Sequence, residues 1–324
     1  MKLQLKIAFL ISIIFSIATS ADDNIPERVS FSDPHIDFPD RIISVGEYEV
    51  KNKEVIEVYN WAYKKHPTYK LLDEYTPYSS YKLYIKLVAT SSSLTLKMKK
   101  VYNTPPNPDD PKKDDEFREY ILLSAVSKIR FNKNKKEFYL NDKTDEDNTV
   151  VGISWHGAFM YCYFLNRKKE FDYLFYQLAW DKYYYSLSSP AYRLPTEKEW
   201  LKYAKASQNF SGSDTVEDVA WYKYNSDRKL RTGKQKTPHK KLYDLTGNGW
   251  EWCFDDYYEN FPVGHKYKNR EYRVARGGSW GFTEETCSFK GNRRGYPQSK
   301  TRNDIGFRIV TYIYPSLSIK QPKE

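Results

Sequence analysis

The chain has 324 residues, in which 52 lysines and arginines outnumber 42 aspartates and glutamates, and its formal net charge is +10. This length is enough to bury a core without covalent staples, and three cysteines, an odd number, imply no disulfide framework. A basic chain with 30 tyrosines suits nucleic acid or an anionic envelope partner, unless the charge only reflects a compositional bias. The export signal at residues 1–20 argues against a nucleic-acid partner, and no RNP motif or paired Cys/His finger is present, so we expect none.

Residues 1–20 have the pattern of a cleavable secretory signal peptide. They begin with a positively charged stretch at 1–6, continue with an apolar core at 7–17 that is too short to span a bilayer, and end on small residues. We expect cleavage after Ser20 and a secreted or periplasmic mature chain. Position 21 is alanine and not cysteine, so a bacterial lipoprotein anchor is not indicated, and we expect no transmembrane segment after cleavage.

The next segments alternate between extended and helical patterns. Residues 21–40 are polar and contain three prolines, which predicts an extended lead-in. Apolar residues at helical spacing predict a helix over 54–65, and alternation with a period of two predicts a strand over 81–88. Residues 103–115 combine four prolines with dense charge, so we expect an exposed loop there.

Two further helices are predicted in the middle of the chain, at 157–167 and 197–206. The second begins with the pattern of a capping box, in which Thr196 accepts from the backbone and Glu199 reaches back to it. Local rules therefore fix the start of this helix.

Short strings rich in glycine and tryptophan follow one another in a fixed order along the chain. They are GEYEVKN at 46–52, VGISW at 151–155, RLPTEKEW at 193–200, LYDLTGNGWEW at 242–252, RGGSW at 276–280 and GFR at 306–308. These strings resemble those of the sulfatase-modifying-factor family, whose founding activity is the copper-dependent oxidation of a sulfatase cysteine to formylglycine. The resemblance implies an α+β fold, the formylglycine-generating-enzyme fold, which is C-type-lectin-like with extensive irregular loops.

The resemblance also implies a domain organisation. We expect a single domain over 41–315, interrupted by an insertion at about 66–148 that fits the family pattern least, and a C-terminal tail at 316–324. Insertions on a rigid fold are where new binding functions usually lie.

The reactive position of the family is altered in this sequence. Family members that generate formylglycine bind Cu(I) through two cysteines shortly after a Gly-Gly-Ser string. Cu(I) is a soft ion and prefers thiolate ligands. Counted from residues 277–279, the first cysteine position is Phe282 and the second is Cys287. Phenylalanine cannot bind copper, so we expect no copper site. Cys287 is then a small buried hydrophobe, and Ser279, beside the family's catalytic groove, is a turn residue and not a nucleophile.

A second branch of the family comprises iron-dependent sulfoxide synthases with three histidine ligands. The five histidines of this chain are scattered and show no metal-ligand spacing. We therefore expect surface or loop histidines, with a local capping or packing role for His156.

A calcium site of the family matches this sequence better. Its pattern of a side-chain oxygen, two backbone carbonyls and a glutamate falls on Asp244, Gly247, Gly249 and Glu251. Hard oxygen ligands on a short glycine-bearing turn suit Ca²⁺. The alternative is a metal-free turn in which Asp244 bonds to backbone amides and Glu251 pairs with a lysine or arginine.

These observations favour an exported, non-catalytic binding or scaffold protein of the cell envelope, with a protein or glycan partner. The sequence is similar to gliding-motility and secretion-associated envelope proteins of the Bacteroidetes type, but it lacks their anchoring cysteine. One alternative is a divergent formylglycine-generating oxidase that uses Cys287. The other is a calcium-dependent, lectin-like glycan-binding module.

Overall fold

The computed structural model describes most of the region that carries the motifs. The described residues are 28–35, 38–68, 70–71, 81–102, 116–169, 177–179, 182–184, 192–204, 209–227, 230, 242–258 and 271–313. The predicted leader at 1–20, the loop at 103–115 and the tail at 316–324 lie outside them.

Strands outnumber helices in this part of the chain. The helices are α1 (Asn52–Lys65), α2 (Trp155–Lys168), α3 (Glu197–Ala204), α4 (Val216–Val219) and α5 (Glu284–Cys287). The strands are β1 (Arg28–His35), β2 (Phe38–Gly46), β3 (Lys70–Leu71), β4 (Tyr81–Thr90), β5 (Ser93–Tyr102), β6 (Glu116–Leu123), β7 (Ile129–Asn132), β8 (Glu137–Leu140), β9 (Gln177–Ala179), β10 (Lys182–Tyr184), β11 (Ala220–Trp221), β12 (Thr246–Gly247), β13 (Trp250–Asp256), β14 (Tyr272–Arg276), β15 (Arg293–Pro297), β16 (Ile305–Gly306) and β17 (Val310–Ile313). The predicted α+β class is confirmed.

The helix predictions are right to within two residues wherever the structure describes them. Helix α2 begins at Trp155 because the Ser154 hydroxyl accepts from the Gly157 amide at 3.0 Å. Before α3, the Glu199 amide donates to Thr196 Oγ1 at 3.2 Å and the Thr196 amide donates to Glu199 Oε2 at 2.8 Å. The predicted capping box is therefore present, and the end of that prediction, 205–206, lies outside the described residues.

The first and last described strands belong to one sheet, with the order β1-β2-β17. Strand β17 pairs antiparallel with β2, with Val310 opposite Val45. The second half of the predicted lead-in is therefore hydrogen-bonded into this sheet through β1.

A four-stranded sheet, β15-β14-β13-β16, brings the motif segments together. Its central strand β13 carries the Trp-Glu-Trp string and runs antiparallel to β14, which ends at the Gly-Gly-Ser loop. On its other side β13 runs parallel to β16, where Trp250 lies opposite Ile305 of the Gly-Phe-Arg segment. Strings that are about 25 residues or more apart in the sequence thus become neighbours in space.

The region predicted as an insertion packs into the main core. Strands β4, β5 and β6 form an antiparallel sheet, and β7 pairs with β8. Apolar residues of this region, among them Leu94 and Phe138, belong to the same buried cluster as Trp155 and Trp250. Burial of apolar surface joins this region to the rest of the single domain.

Helix α2 is buried on almost every face, from Trp155 to Asn166. Two glycines permit this close approach. A Cβ on Gly157 would lie 2.3 Å from the Leu122 carbonyl oxygen, and one on Gly152, at φ +71°, would lie 2.2 Å from the Ser127 nitrogen. Within the described residues, no helix has the length and apolar character needed to cross a bilayer.

Candidate functional site

The Cys287 thiol is buried among apolar side chains. It is fully buried on α5, in a cluster with Phe210 and Val216. Its Sγ donates to the Ser279 carbonyl oxygen at 3.8 Å, and a Cβ on Gly278 would lie 2.7 Å from it. Burial raises the pKa of the thiol to about 12. At neutral pH this sulfur is protonated, whereas a metal ligand or nucleophile must be a thiolate.

Phe282 occupies the position at which the family places its first cysteine. Its ring contacts Trp250 edge to face, with centroids 5.6 Å apart and planes at 83°. The other two cysteines, Cys162 and Cys253, belong to two other buried clusters. The three cysteines are all described, and they form no disulfide. Cys287 thus has neither of these thiols beside it as a second soft ligand.

Ser279 is buried and has a fixed partner. Its hydroxyl donates to Asp304 Oδ2 at 3.0 Å, and Arg302 holds both oxygens of the same carboxylate. Its Oγ also accepts from the Gly281 amide at 3.4 Å, which is the geometry of a serine turn. No described histidine contacts this hydroxyl to activate it as a nucleophile.

The predicted calcium loop bends sharply. Asp244, Gly247 and Asn248 have φ values of 61°, 76° and 55°, and all three are buried. Gly247 has no alternative, because a Cβ there would lie 2.3 Å from the Trp221 carbonyl oxygen. The turn therefore directs Asp244 and its backbone into the interior, where charge is costly unless it is balanced.

Glu251, the fourth predicted ligand, is held by an internal cation. Its carboxylate is fully buried and receives Arg308 Nη2 at 2.7 Å and Trp200 Nε1 at 2.7 Å. Arg308 is equally buried and also donates to the carbonyl oxygens of Gly46, Glu47 and Tyr243. Burial alone would lower the pKa of Arg308, but the neighbouring Glu251 carboxylate outweighs this and holds the pKa above its usual value. This geometry matches the alternative stated from the sequence, in which Glu251 pairs with a lysine or arginine.

A carboxyl group that sequence reasoning missed, that of Glu49, lies beside this loop. Its Oε2 accepts from Thr149 Oγ1 at 2.7 Å and from Asn248 Nδ2 at 2.5 Å. Its Oε1 is buried and has no hydrogen-bond partner among the described residues. Burial, followed by the charges of Glu251 and Asp244, raises the pKa of Glu49 well above its usual value. The only sequence signal was its place in the GEYEVKN string, which was used for the strand pattern.

These contacts decide how the loop could hold a cation. In the described part of the chain, no group of three or more His, Cys, Asp or Glu side chains is arranged to bind a metal ion. Backbone carbonyls would therefore supply part of the shell, as the family pattern implies. Glu49 Oε1, 2.8 Å from where a Gly249 Cβ would be, is better placed to contribute than Glu251, whose oxygens already have donors. The loop fits Ca²⁺ through this orphaned oxygen.

Two histidines lie in or beside helices and are not at the surface. His156 is buried against Tyr120, with ring centroids 4.4 Å apart, and burial followed by Arg273 lowers its pKa to about 3. His66 is partly buried against Phe164, and burial lowers its pKa to about 4. The surface or loop prediction is wrong for His156, which is buried within α2, although its packing role is confirmed. His66 follows the end of α1, as the loop prediction allows. His239 and His265 lie outside the described residues.

The architecture and the site together define a class of protein. It is a single mixed α+β domain in which the Trp-Glu-Trp, Gly-Gly-Ser and Gly-Phe-Arg segments meet around a buried acid and arginine centre. Residues 45–313 match the family model described as the sulfatase-modifying factor enzyme 1-like domain. The chain belongs to this family, and it is a non-canonical member because Phe282 replaces the first cysteine.

Two curated proteins are similar to part of this chain. The chain is 31% identical over 147 residues to the chaperone protein LppX of Paenibacillus barcinonensis, which covers 37% of this chain and 49% of that protein. It is 27% identical over 173 residues to the serine/threonine-protein kinase Pkn1 of Chlamydia trachomatis, which covers 50% of this chain and 24% of the kinase. The matches thus span about half of one curated relative and a quarter of the other.

A solved structure supports the fold. The crystal structure of CarF is similar with a TM-score of 0.50 at 15% identity, covering 84% of this chain and 87% of that one. At this identity the likeness shows the fold alone.

Proposed function

We propose that this chain is an exported, non-catalytic binding protein of the cell envelope that uses the formylglycine-generating-enzyme fold as a scaffold. The observation that carries the proposal is the state of the reactive position. Phe282 replaces one copper ligand, and Cys287 is a buried thiol whose pKa is about 12. Similarity to a chaperone over 37% of the chain supports a binding role. The signal-peptide pattern at 1–20 supports export.

The competing oxidase function predicts tight copper binding. We expect the reduced protein, titrated with Cu(I) against a competing chelator, to take up no copper beyond what the chelator leaves. The reason is that one buried, protonated thiol offers Cu(I) no second soft ligand. Cys287→Ser should behave as wild type. Cys162→Ser, which removes another buried thiol, is the matched control.

One further variant makes the copper experiment decisive. Phe282→Cys places a cysteine at the first position of the family pattern, so that the site again has two thiols. We expect this variant to bind about one Cu(I), whereas wild type binds none. Stoichiometric binding by the wild-type protein that disappears in Cys287→Ser and survives in Cys162→Ser would restore the oxidase and reject our proposal.

For the loop at 244–251 we propose a structural Ca²⁺ held by Asp244, loop carbonyls and Glu49. The supporting observation is the buried Glu49 oxygen that has no partner among the described residues. A ligand at about 100 times its Kd stabilises a protein by about 2.7 kcal/mol. We therefore expect Ca²⁺ to raise the melting temperature by several degrees over EGTA, and Mg²⁺ at equal ionic strength to have little effect.

The control for calcium is a pair of glutamate variants. Glu49→Gln should lose the Ca²⁺-dependent part of the shift, whereas Glu285→Gln, at an exposed position on α5, should retain it. Equal melting temperatures in Ca²⁺ and EGTA would show that Arg308 alone balances the buried acids and that the loop holds no calcium.

A further inference from the structure

An open cavity of about 420 Å³ lies between the inserted region and the Gly-Gly-Ser-Trp loop. This volume is within the range of small-molecule sites. One side comes from segments at 126–148 and the other from the motif segments around Trp280 and Asn303. The lining residues are Asn52, Val126, Lys128, Asp145, Asn148, Thr149, Val151, Leu230, Trp280 and Asn303. The buried Cys287 is not among them.

Trp280 supplies an aromatic surface in this cavity, and hydrogen bonds fix its position. Its side chain is partly exposed, and its indole Nε1 donates to the Asn303 carbonyl oxygen at 3.3 Å. Its backbone is fixed at both ends, since its amide donates to Asn248 O at 2.9 Å and its carbonyl accepts from Ser226 Oγ at 3.1 Å. Val126, 45% exposed, adds an apolar patch. A preformed apolar face of this kind loses little entropy when a ligand binds.

Amide groups provide the polar side of the cavity. Asn52 Nδ2 donates to the Asp145 carbonyl oxygen at 2.9 Å, and Asn148 Nδ2 donates to Asp145 Oδ1 at 2.8 Å. These bonds orient both amides and leave their side-chain oxygens as acceptors. The Asn303 amide makes no side-chain hydrogen bond within the described part of the chain and is exposed. Oriented acceptors select a ligand with several hydroxyl or amide donors.

The charged groups of the cavity neutralise each other. Lys128 Nζ lies 2.5 Å from Asp145 Oδ1, and no other lining residue is charged. An anionic ligand would compete with Asp145 for the lysine, and a cationic one would compete with the lysine for Asp145. The cavity therefore suits a ligand without net charge.

We propose that this cavity binds a neutral sugar residue, with an apolar face of the ring on Trp280 and hydroxyl groups on Asn52, Asn148 and Asn303. A pyranose ring combines an apolar C–H face with a hydroxyl rim, which is the combination that an aromatic face beside oriented amides accommodates. This proposal rests on the proposed binding function and names its ligand class. The copper titration tests the proposed non-catalytic function and is unaffected by sugar binding. The two proposals can therefore fail independently.

Calorimetric titration of the purified full chain with N,N′-diacetylchitobiose, lactose and maltose tests the proposal. We expect at least one of them to bind with a millimolar or lower Kd, and Trp280→Ala to weaken that binding at least tenfold. Tyr224→Ala is the matched control, because Tyr224 is an aromatic residue that is 70% exposed and does not line the cavity. Its Kd should equal that of wild type.

A second pair of variants guards against loss of folding in Trp280→Ala. Asn303→Ala removes one amide at an exposed position, and Val126→Arg places a long side chain at the cavity mouth. Both should weaken binding while the melting temperature stays near that of wild type. 3′-Sialyllactose, titrated alongside, serves as a negatively charged sugar. The proposal is overturned if none of the three neutral sugars binds, if both variants bind as wild type does, or if only 3′-sialyllactose binds.

Discussion

Arg308→Ala is expected to lower the free energy of unfolding by about 3–5 kcal/mol, as measured by urea denaturation. The substitution leaves the Glu251 carboxylate fully buried without its cation. It also removes the donors to the carbonyl oxygens of Gly46, Glu47 and Tyr243. A buried acceptor that loses its donor incurs its full desolvation cost, so this loss should exceed that of any surface ion pair.

Two comparisons test whether the buried pair itself is responsible. Lys97→Ala breaks an exposed ion pair with Glu119, and it should cost less than about 1 kcal/mol. Glu251→Gln in the Arg308→Ala background should recover part of the lost stability, because it removes the uncompensated charge. If Arg308→Ala costs no more than Lys97→Ala, the Glu251 and Arg308 pair does not hold the motif segments together.

Trp155→Ala is expected to cost about 3–5 kcal/mol or more, since it opens a cavity in the main core. The Trp155 side chain is completely buried and stacks on Phe159, with ring centroids 5.3 Å apart. Its Nε1 donates to the Cys253 carbonyl oxygen at 2.8 Å, and the Arg273 guanidinium lies 4.1 Å from its ring centroid. Truncation removes packing, a hydrogen bond and a cation–π contact together.

Trp155→Phe separates these contributions. It keeps an aromatic ring against Phe159 but removes the indole donor to Cys253, so it should cost clearly less than Trp155→Ala, as judged by the urea midpoint. Equal losses in the two variants would mean that the hydrogen bond to β13, and not the filled volume, dominates the role of this tryptophan.

Local signals in the sequence predicted the regular elements well. The capping box at Thr196 and Glu199 marks the start of α3 because both of its hydrogen bonds lie within one turn of the chain. Alternation over 81–88 predicted β4, which the structure extends to Thr90. Such features depend on neighbours two to four residues away, so a single sequence contains them.

The candidate site was predicted only in part. The motif strings identified Phe282, Cys287 and Glu251 by position, but the partner of Glu251 lies 57 residues further along the chain. Glu49 lies 199 residues from Asn248, which donates to it. No spacing rule connects such residues, because the pairing of β13 with β16 and the packing of the loop against the GEYEVKN segment bring them together.

The sequence by itself determined the family, the α+β class and the loss of the first copper-binding cysteine, because each of these depends on residue identity in ordered strings. Only the tertiary structure decided which buried charges are paired and where a cavity forms. It placed Arg308 on Glu251, left a Glu49 oxygen without a described partner, and set the region predicted as an insertion against Trp280 to form a cavity. The physical reason is that burial, and with it the cost of a charge or the shape of a pocket, is a property of long-range packing.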